Sequence, residues 1–314
     1  MTPGKTYLNT EEIRPLAERS NAMGAWLLLH CWGTIACAIA LFAIWPNPLT
    51  MIVAVLIIGS RQLGLAILMH EAAHNALFKS RRLNDLAGEW LCGRPILAEL
   101  SAYRHYHLTH HRFTQTDKDP DLVLSSKFPT TRASLKRKFT RDLTGQTGTK
   151  QLMAQILASV RLAGDHDAVE AAASDFAQAF KARELFKSLP VFFSIMILFS
   201  LIGSWWWGLV FWLLPYLTWF QFVLRVRNIA EHGATEVSEN PLQNTRTTLA
   251  GPLARLLLAP YWVNYHLEHH MVMHVPCWRL KEMHKLLTQK GLVNRMRIAP
   301  SYKHALIEAG WRTA

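Results

Sequence analysis

Residues 70–111 read HEAAHNALFKSRRLNDLAGEWLCGRPILAELSAYRHYHLTHH and contain six of the chain's fifteen histidines. A second cluster, NYHLEHH, occupies 264–270, and RNIAEH lies between the two at 227–232. A single histidine in a protein is usually structural. Histidines in three short runs, at 70–74, 105–111 and 266–270, instead indicate a shared metal site. A neutral imidazole binds iron, zinc, copper or nickel without first losing a proton.

The spacing within the clusters predicts how many ions they bind. Residues four apart in a helix lie on one face, as His70 and His74 would. The pattern HxxHH at 107–111 and 266–270 repeats this relation, but its adjacent histidines diverge by about 100° around the helix axis. The clusters supply eight candidate ligands: His70, His74, His107, His110, His111, His266, His269 and His270. Eight ligands exceed the roughly four to six that one ion takes, so the sequence predicts two metal ions.

Hydrophobic runs predict an all-α integral membrane protein that forms one domain over residues 1–314. Half of the chain is hydrophobic and only 18% is charged. About twenty helical residues cross a ~30 Å hydrocarbon core. Four transmembrane helices are predicted, at about 26–45, 49–69, 189–202 and 205–224. The second should continue into HEAAH, and its Arg61 should face protein or a polar cavity, because an arginine is costly in lipid.

The charge distribution predicts how these helices are oriented. The short loops 46–48 and 203–204 are uncharged, whereas the long central section and the C-terminal section hold nearly all of the Lys and Arg. The positive-inside bias therefore predicts a multi-pass protein with cytoplasmic termini and a cytosolic helical cap, formed by 70–187 and 225–314, that holds the histidines. The same bias explains the net charge of +12 as that of a membrane protein. Nucleic-acid binding is not needed to explain the charge, and no nucleic-acid-binding motif is present. The four cysteines form no CxxC motif, so a thiolate site is not expected.

Two other functions fit part of the pattern. HEAAH matches the HExxH signature of zinc proteases, with Glu71 as the general base. This interpretation uses only two histidines and leaves both HxxHH clusters without a role. A metal transporter would need ligands near the middle of the membrane, whereas these clusters lie at the predicted helix ends.

The motifs HEAAH, HLTHH and HLEHH resemble the three histidine boxes of the membrane fatty acid desaturase superfamily, which includes hydroxylases and ketolases. The similarity runs from about residue 69 to 287 and includes DPD at 119–121 and RNIAEHG at 227–233. The resemblance implies a four-helix stem under a cytosolic cap with a di-iron centre. It also implies a ninth ligand, His232, and an asparagine, Asn228, that contacts a metal through water. Glu71, Glu231 and Glu268 are candidates to orient imidazoles, and His105, outside the box pattern, is expected to be a supporting or structural residue.

The resemblance further implies an O₂-dependent enzyme that introduces a double bond into a fatty acyl chain. A related di-iron lipid hydroxylase, or a carotenoid ketolase or hydroxylase, remains open because the same boxes serve both kinds of reaction. The HxxxH spacing of the first box is similar to the acyl-lipid and bacterial branch, so we expect a bacterial inner membrane. The sequence has no haem or flavin motif, and electrons should come from a separate ferredoxin, rubredoxin or cytochrome b5-type protein. The basic segment 132–141 could dock an acidic donor or anionic lipid, and 168–186 is expected to form an amphipathic helix.

Overall fold

The chain folds into helices that surround one long central helix. A computed structural model describes residues 7–162 and 182–310, without the side chains of 158–162 and 182–185. The helix predicted over 168–186 therefore lies largely outside the described residues. The α-helices are α1 (Thr10–Leu16), α2 (Asn21–Ile44), α3 (Pro48–Ala73), α4 (Arg81–Leu86), α5 (Leu100–Phe113), α6 (Leu122–Ser125), α7 (Arg132–Leu143), α8 (Gln146–Leu162), α9 (Ala182–Ile202), α10 (Leu214–Leu217), α11 (Trp219–His232), α12 (Pro252–Leu257), α13 (His266–Met271), α14 (Leu280–Gln289) and α15 (Tyr302–Ala309).

Shorter elements connect these helices. Two π-helical turns cover Ala87–Gly93 and Leu209–Leu213, and 3₁₀ turns cover Arg94–Ile96, Pro260–Trp262, Cys277–Arg279 and Val293–Arg295. Two short strands, β1 (Thr247–Thr248) and β2 (Ile298–Ala299), pair in parallel, with Thr247 opposite Ile298. This small pairing ties the segment after α11 to the segment before α15.

The helices α2 and α3 form a tight antiparallel hairpin. The Asn47 side chain accepts hydrogen bonds from the backbone N–H groups of Leu49, at 3.0 Å, and Thr50, at 3.1 Å, which satisfies free donors at the start of α3. Pro48 occupies the first turn, where it costs no hydrogen bond. The short turn predicted at 46–48 is confirmed.

Three helical segments of the described chain are long and apolar enough to cross a membrane: Asn21–Ile44, Pro48–Ala73 and Leu209–His232. They correspond to the predicted spans 26–45, 49–69 and 205–224. The span predicted at 189–202 falls within α9, whose apolar stretch, Phe186–Ile202, is shorter than the other three. Three candidate spans are therefore supported by length and composition.

The third candidate span continues beyond its predicted end. The predicted end is residue 224, but the helical segment runs to His232 with only a local break at Thr218. The ninth candidate histidine therefore lies in the last turn of a candidate membrane span.

The central helix α3 also extends past its apolar stretch, as predicted. It continues to Ala73, and His74 follows directly as its C-terminal cap. Its C-terminal half is almost entirely buried. The π-helical turn packs against this end so closely that a Cβ atom on Gly88 would lie 2.5 Å from the Cβ of Ala72. The turn leads into α5, which Glu99 caps by accepting from the backbone N–H groups of Ser101 and Ala102. The first two histidine boxes are thereby brought side by side.

A segment near the third box inserts against the middle of α3. The Ser60 hydroxyl donates to the carbonyl of Leu257 at 2.8 Å, and the Arg61 guanidinium donates to the carbonyl of Leu256 at 2.6 Å. These carbonyls end α12 and lack helical partners, so a cation is favourable beside them. Arg61 is 2% exposed and faces protein, as predicted.

Candidate metal centre

Four helix ends converge on one cluster of nine histidines. The end of α3 supplies His70, and His74 follows it; α5 supplies His107, His110 and His111; the last turn of α11 supplies His232; and α13 supplies His266, His269 and His270. All nine histidines predicted as ligands are brought together by the structure. Seven are buried, while His111 and His232 are half-buried.

The nine imidazoles form two groups. The first group contains His70, His74, His107, His111 and His269, and the second contains His110, His232, His266 and His270. Within each group the candidate ligand atoms lie within 4.8 Å of one another. Each HxxHH box gives its first and last histidines to one group and its middle histidine to the other, as the 100° divergence of adjacent helical residues requires.

The two groups touch each other. The rings of His111 and His270 stack with their centroids 4.2 Å apart, although they belong to different groups. In the first group, the Nε2 of His111 lies 2.9 Å from that of His107 and 3.0 Å from that of His269. In the second, the Nε2 atoms of His232 and His266 are 2.8 Å apart. The ring nitrogens thus point at shared points in space.

Several of these inward nitrogens have no hydrogen-bond partner despite being buried. They are the Nε2 atoms of His70, His74 and His270. A buried polar atom without a partner is costly, and a metal ion at the shared point would supply one for each. The donor set also suits the metal, since imidazole nitrogen is a good ligand for iron. These residues therefore fit two metal ions.

The surroundings keep most of the imidazoles neutral. Burial lowers the pKa of His74 to about 3, helped by the Arg104 guanidinium. Burial, followed by the neighbouring histidines, also lowers the pKa of His107, His111 and His269 well below the usual value. Neutral rings leave a nitrogen lone pair free for a metal.

Outward-facing nitrogens of three histidines are held by oxygen atoms. The Nδ1 of His70 lies 3.2 Å from Glu71 Oε1, and the Nδ1 of His270 lies 3.2 Å from the Thr114 hydroxyl. The Nδ1 of His110 lies 2.8 Å from Asp119 Oδ1. Such partners fix which ring nitrogen faces a metal.

His110 differs from the other box histidines in its charge balance. Burial acts to lower its pKa, but the carboxylates of Asp121 and Asp119 outweigh burial and raise it. Asp119 is itself buried and accepts a second hydrogen bond, from the backbone N–H of Gln115 at 2.8 Å.

The three glutamates expected to orient imidazoles, Glu71, Glu231 and Glu268, make different contacts. Glu71 contacts His70 and also accepts from the backbone N–H of Cys277 at 2.8 Å, so both of its oxygens are engaged. Glu231 pairs with Arg227 at 2.7 Å, and its other oxygen lies 3.6 Å from His266 Nε2. Glu268 lies 2.5 Å from the Nδ1 of His284, a histidine outside the nine.

His105 on α5 and Asn228 on α11 are the other two residues expected near the metal site. His105 is exposed on the outer side of α5 and is not brought to the cluster, because it lies on the opposite helical face from His107. Asn228 is half-buried, one helical turn before His232 and on the same face, where the expected contact through water remains a proposal.

Several residues that hold the histidines in place are not predicted by the sequence pattern. Asp119 and Asp121 belong to the DPD motif, but their loop has no periodic signal that would predict a contact with His110. Thr114 and Gln115 follow the second box directly. Gln115 donates to the carbonyl of His232 at 3.2 Å, which links α5 to the end of α11. The clustering of polar residues just after HLTHH is the one signal that points to these contacts.

A small cavity lies beside both groups. Three of its walls are His70, His266 and His269, and the others are Ile67, Glu71, Tyr261, Val263, Cys277 and Leu280. The apolar residues among these are buried or nearly so. Its volume of about 10 Å³ is room for about one water molecule, so its walls show the apolar character of the surroundings and not a pocket already open to a ligand.

The fold and the site define a class: helical membrane proteins with two all-histidine groups at the ends of apolar helices. Within this class, the chain belongs to the fatty acid desaturase family, whose sequence model matches residues 45–298, and it is an oxidoreductase. It is 28% identical over 292 residues to a dihydrorhizobitoxine desaturase from Bradyrhizobium elkanii, covering 88% of this chain and 78% of the relative. It is 25% identical over 269 residues to a beta-carotene ketolase from Paracoccus sp. (strain PC1), covering 83% and 88% respectively.

Proposed function

We propose that this oxidoreductase is an O₂-dependent di-iron enzyme that introduces a double bond into a lipid acyl chain. The observation that carries the proposal is the pair of imidazole groups beside a cavity whose other walls are mostly apolar. Five histidines would hold one iron, and four histidines, with Asn228 through water, would hold the other. A di-iron centre, when bound, supplies with O₂ and two electrons the oxidising power that an unactivated C–H bond requires.

The chain's own residues have separate tasks in this proposal. Glu71, Asp119 and Thr114 hold the outer nitrogens of three imidazoles, which keeps the inner nitrogens aimed at the metals. Ile67, Val263 and Leu280 line the cavity and would pack against hydrocarbon while excluding water. Substrate carbons lying against these walls would be next to His70, His266 and His269.

The placement in the membrane is part of the proposal. α9 would complete a four-helix stem with the three longer candidate spans, although its apolar stretch is short. The termini and the histidine cluster would then lie on the cytoplasmic side of a bacterial inner membrane, in agreement with the charge bias of the sequence. Electrons would reach the site from a separate ferredoxin, rubredoxin or cytochrome b5-type protein.

A second function is supported by one observation. The two relatives carry names of different reactions, a desaturation and a ketolation, at similar identity and coverage. Oxidation of a carotenoid ring to a ketone, or hydroxylation of a lipid, is therefore the alternative. The same histidine ligands serve either reaction, so the two functions are distinguished by identifying the product.

Product analysis in a bacterial host tests both functions. The chain is expressed with and without carotenoid-producing enzymes, and total lipids and carotenoids are analysed by mass spectrometry. A new acyl double bond that is absent from cells expressing His107→Ala is the expected result. A keto or hydroxyl carotenoid without any acyl change would replace the proposed function by the alternative. The exposed His105→Ala variant is the matched control and should retain the product.

A further inference from the structure

The segment between β1 and the third box runs to the middle of α3 and back. At its two ends, the backbone N–H of Thr248 donates to the carbonyl of Asn264 at 2.9 Å, and the Asn264 side-chain amide donates to the carbonyl of Thr248 at 3.1 Å. Between these residues the chain forms α12, whose last carbonyls accept hydrogen bonds from Ser60 and Arg61. The segment is therefore a loop that is closed at its base and attached to α3 at its far end.

The attachment point sets the depth of this loop relative to a membrane. The helix α3 has 26 residues and is about 39 Å long at ~1.5 Å per residue, whereas a hydrocarbon core is ~30 Å thick. Ser60 lies at the centre of α3, about 18 Å or more from either end. In a membrane that α3 crosses, Ser60 is about 9 Å or more inside the core, wherever the core begins along the helix. The end of α12 then lies at the same depth.

The exposed surface of the loop is apolar. Leu249, Leu253 and Leu256 are 42, 68 and 40% exposed. Leu253 and Leu256 are three residues apart in α12, so they lie on one face of the helix. Arg255 is the only charged residue of α12, and its side chain hydrogen-bonds with Tyr265, a buried residue directly before the third box. The charge is thus directed at protein, while the leucines face outward.

The backbone at the far end of the loop finds its partners within the protein. Backbone groups in hydrocarbon require such partners, because water is absent. The carbonyl of Ala254 accepts from the backbone N–H groups of Leu258 and Ala259, both at 2.8 Å, and α3 supplies side-chain donors to the next two carbonyls. One of these donors is Arg61, whose charge would be costly in lipid without a partner. The loop and the buried arginine therefore satisfy each other.

We propose that residues 249–258 form a re-entrant segment, which enters the hydrocarbon core from the histidine side and contacts lipid acyl tails through Leu249, Leu253 and Leu256. The inference rests on the membrane placement given with the proposed function, because the depth of the segment is measured along α3. Asn264 closes the loop two residues before His266. The segment therefore also holds the third box at a fixed distance from the hydrocarbon core.

Spin labels on single cysteines test this depth in the full-length protein reconstituted into phospholipid vesicles. Leu249→Cys and Leu253→Cys are each made together with Cys37→Ala, since the other three cysteines are buried. Native Cys37, exposed on α2, is the lipid reference, and His105→Cys on the exposed side of α5, again with Cys37→Ala, is the water reference. Electron paramagnetic resonance measures how often each label collides with O₂, which concentrates in lipid, and with a water-soluble nickel complex.

Both leucine sites should behave like Cys37, with frequent O₂ collisions and a loss of the nickel collisions seen at His105→Cys. Nickel collisions at Leu253→Cys as frequent as at His105→Cys, with Cys37 protected, would overturn the re-entrant segment and leave the membrane placement intact. Rare collisions with both reagents, together with dipolar broadening between labels, would also overturn it, because a second copy of the chain would then cover the leucines. Frequent nickel collisions at Cys37 itself would reject both the membrane placement and the re-entrant segment.

Discussion

At the scale of single residues, the decisive feature is that adjacent histidines serve different groups. His110 and His111 are neighbours in α5, as are His269 and His270 in α13, and each pair is divided between the two groups. Helical geometry alone produces this division, so the HxxHH pattern is enough to predict it. The pattern does not predict which histidines share a group, because that depends on how α3, α5, α11 and α13 are oriented in space.

The carboxylate of Asp119 provides a test at this scale. Asp119→Asn removes the charge beside His110 Nδ1, a contact of 2.8 Å, while keeping the shape of the side chain. Loss of such an outer partner typically weakens metal binding about 10- to 100-fold. We expect the weakening in the second group only, measured as the release of one of two irons in a chelator titration. The exposed Asp117→Asn is the control, and an Asp119→Asn titration identical to wild type would contradict the role of Asp119.

At the scale of elements, the end of α11 is fixed by a buried arginine. The guanidinium of Arg246 donates to the carbonyls of Ile229, Ala230 and Gly233 at 3.2, 3.1 and 2.9 Å. Burial lowers the pKa of Arg246 to about 10, so the group is still charged at neutral pH. It satisfies the last carbonyls of the helix that carries His232 and complements the negative end of the helix dipole.

Arg246→Ala should therefore affect the second group. We expect a loss of about 3 kcal/mol in stability from the unpaired carbonyls and a fall toward one iron per chain, with Arg246→Lys intermediate in both. Arg297→Ala is a suitable control, since Arg297 donates to Ala234 and Glu308. Metal analysis and thermal unfolding measure the two effects. Full iron content in a folded Arg246→Ala protein would show that the arginine does not position His232.

The contact between α3 and the π-helical turn gives a second test at this scale. Gly88→Ala would place a Cβ atom 2.5 Å from Ala72 and 3.0 Å from Leu100, between the helices that carry the first and second boxes. Overpacking of this kind costs about 1–3 kcal/mol, so the thermal unfolding temperature should fall. Gly33→Ala in α2 meets nothing within 4 Å and should unfold at the wild-type temperature or above. Equal unfolding temperatures for the two variants would contradict the close packing.

Sequence periodicity predicts some elements well and others poorly. The extension of α3 into HEAAH follows from an apolar run that continues without a helix breaker. The extension of α11 to His232 is missed because Arg225 and Arg227 resemble the end of a span. In the structure Arg225 pairs with Asp142 and Arg227 with Glu231, so charge does not end the helix. The insertion of Pro252–Trp262 against α3 is also missed, because it depends on tertiary hydrogen bonds and not on local pattern.

At the scale of the whole molecule, a membrane stem and a histidine centre form one unit. The candidate spans α3 and Leu209–His232 end in ligand candidates, so the position of the two histidine groups is coupled to the packing of these helices. The small cavity beside the two histidine groups is lined by His70, Ile67 and Tyr261, among other residues.

Metal analysis of the purified, detergent-solubilised protein, prepared without oxygen, shows whether the two histidine groups bind two irons. The two imidazole groups predict about two irons per chain, falling on replacement of either His107 or His110 but not of the exposed His105. One zinc and no iron would contradict the account, favour the HExxH protease interpretation of His70-Glu71-Ala72-Ala73-His74, and leave the two HxxHH boxes without a function.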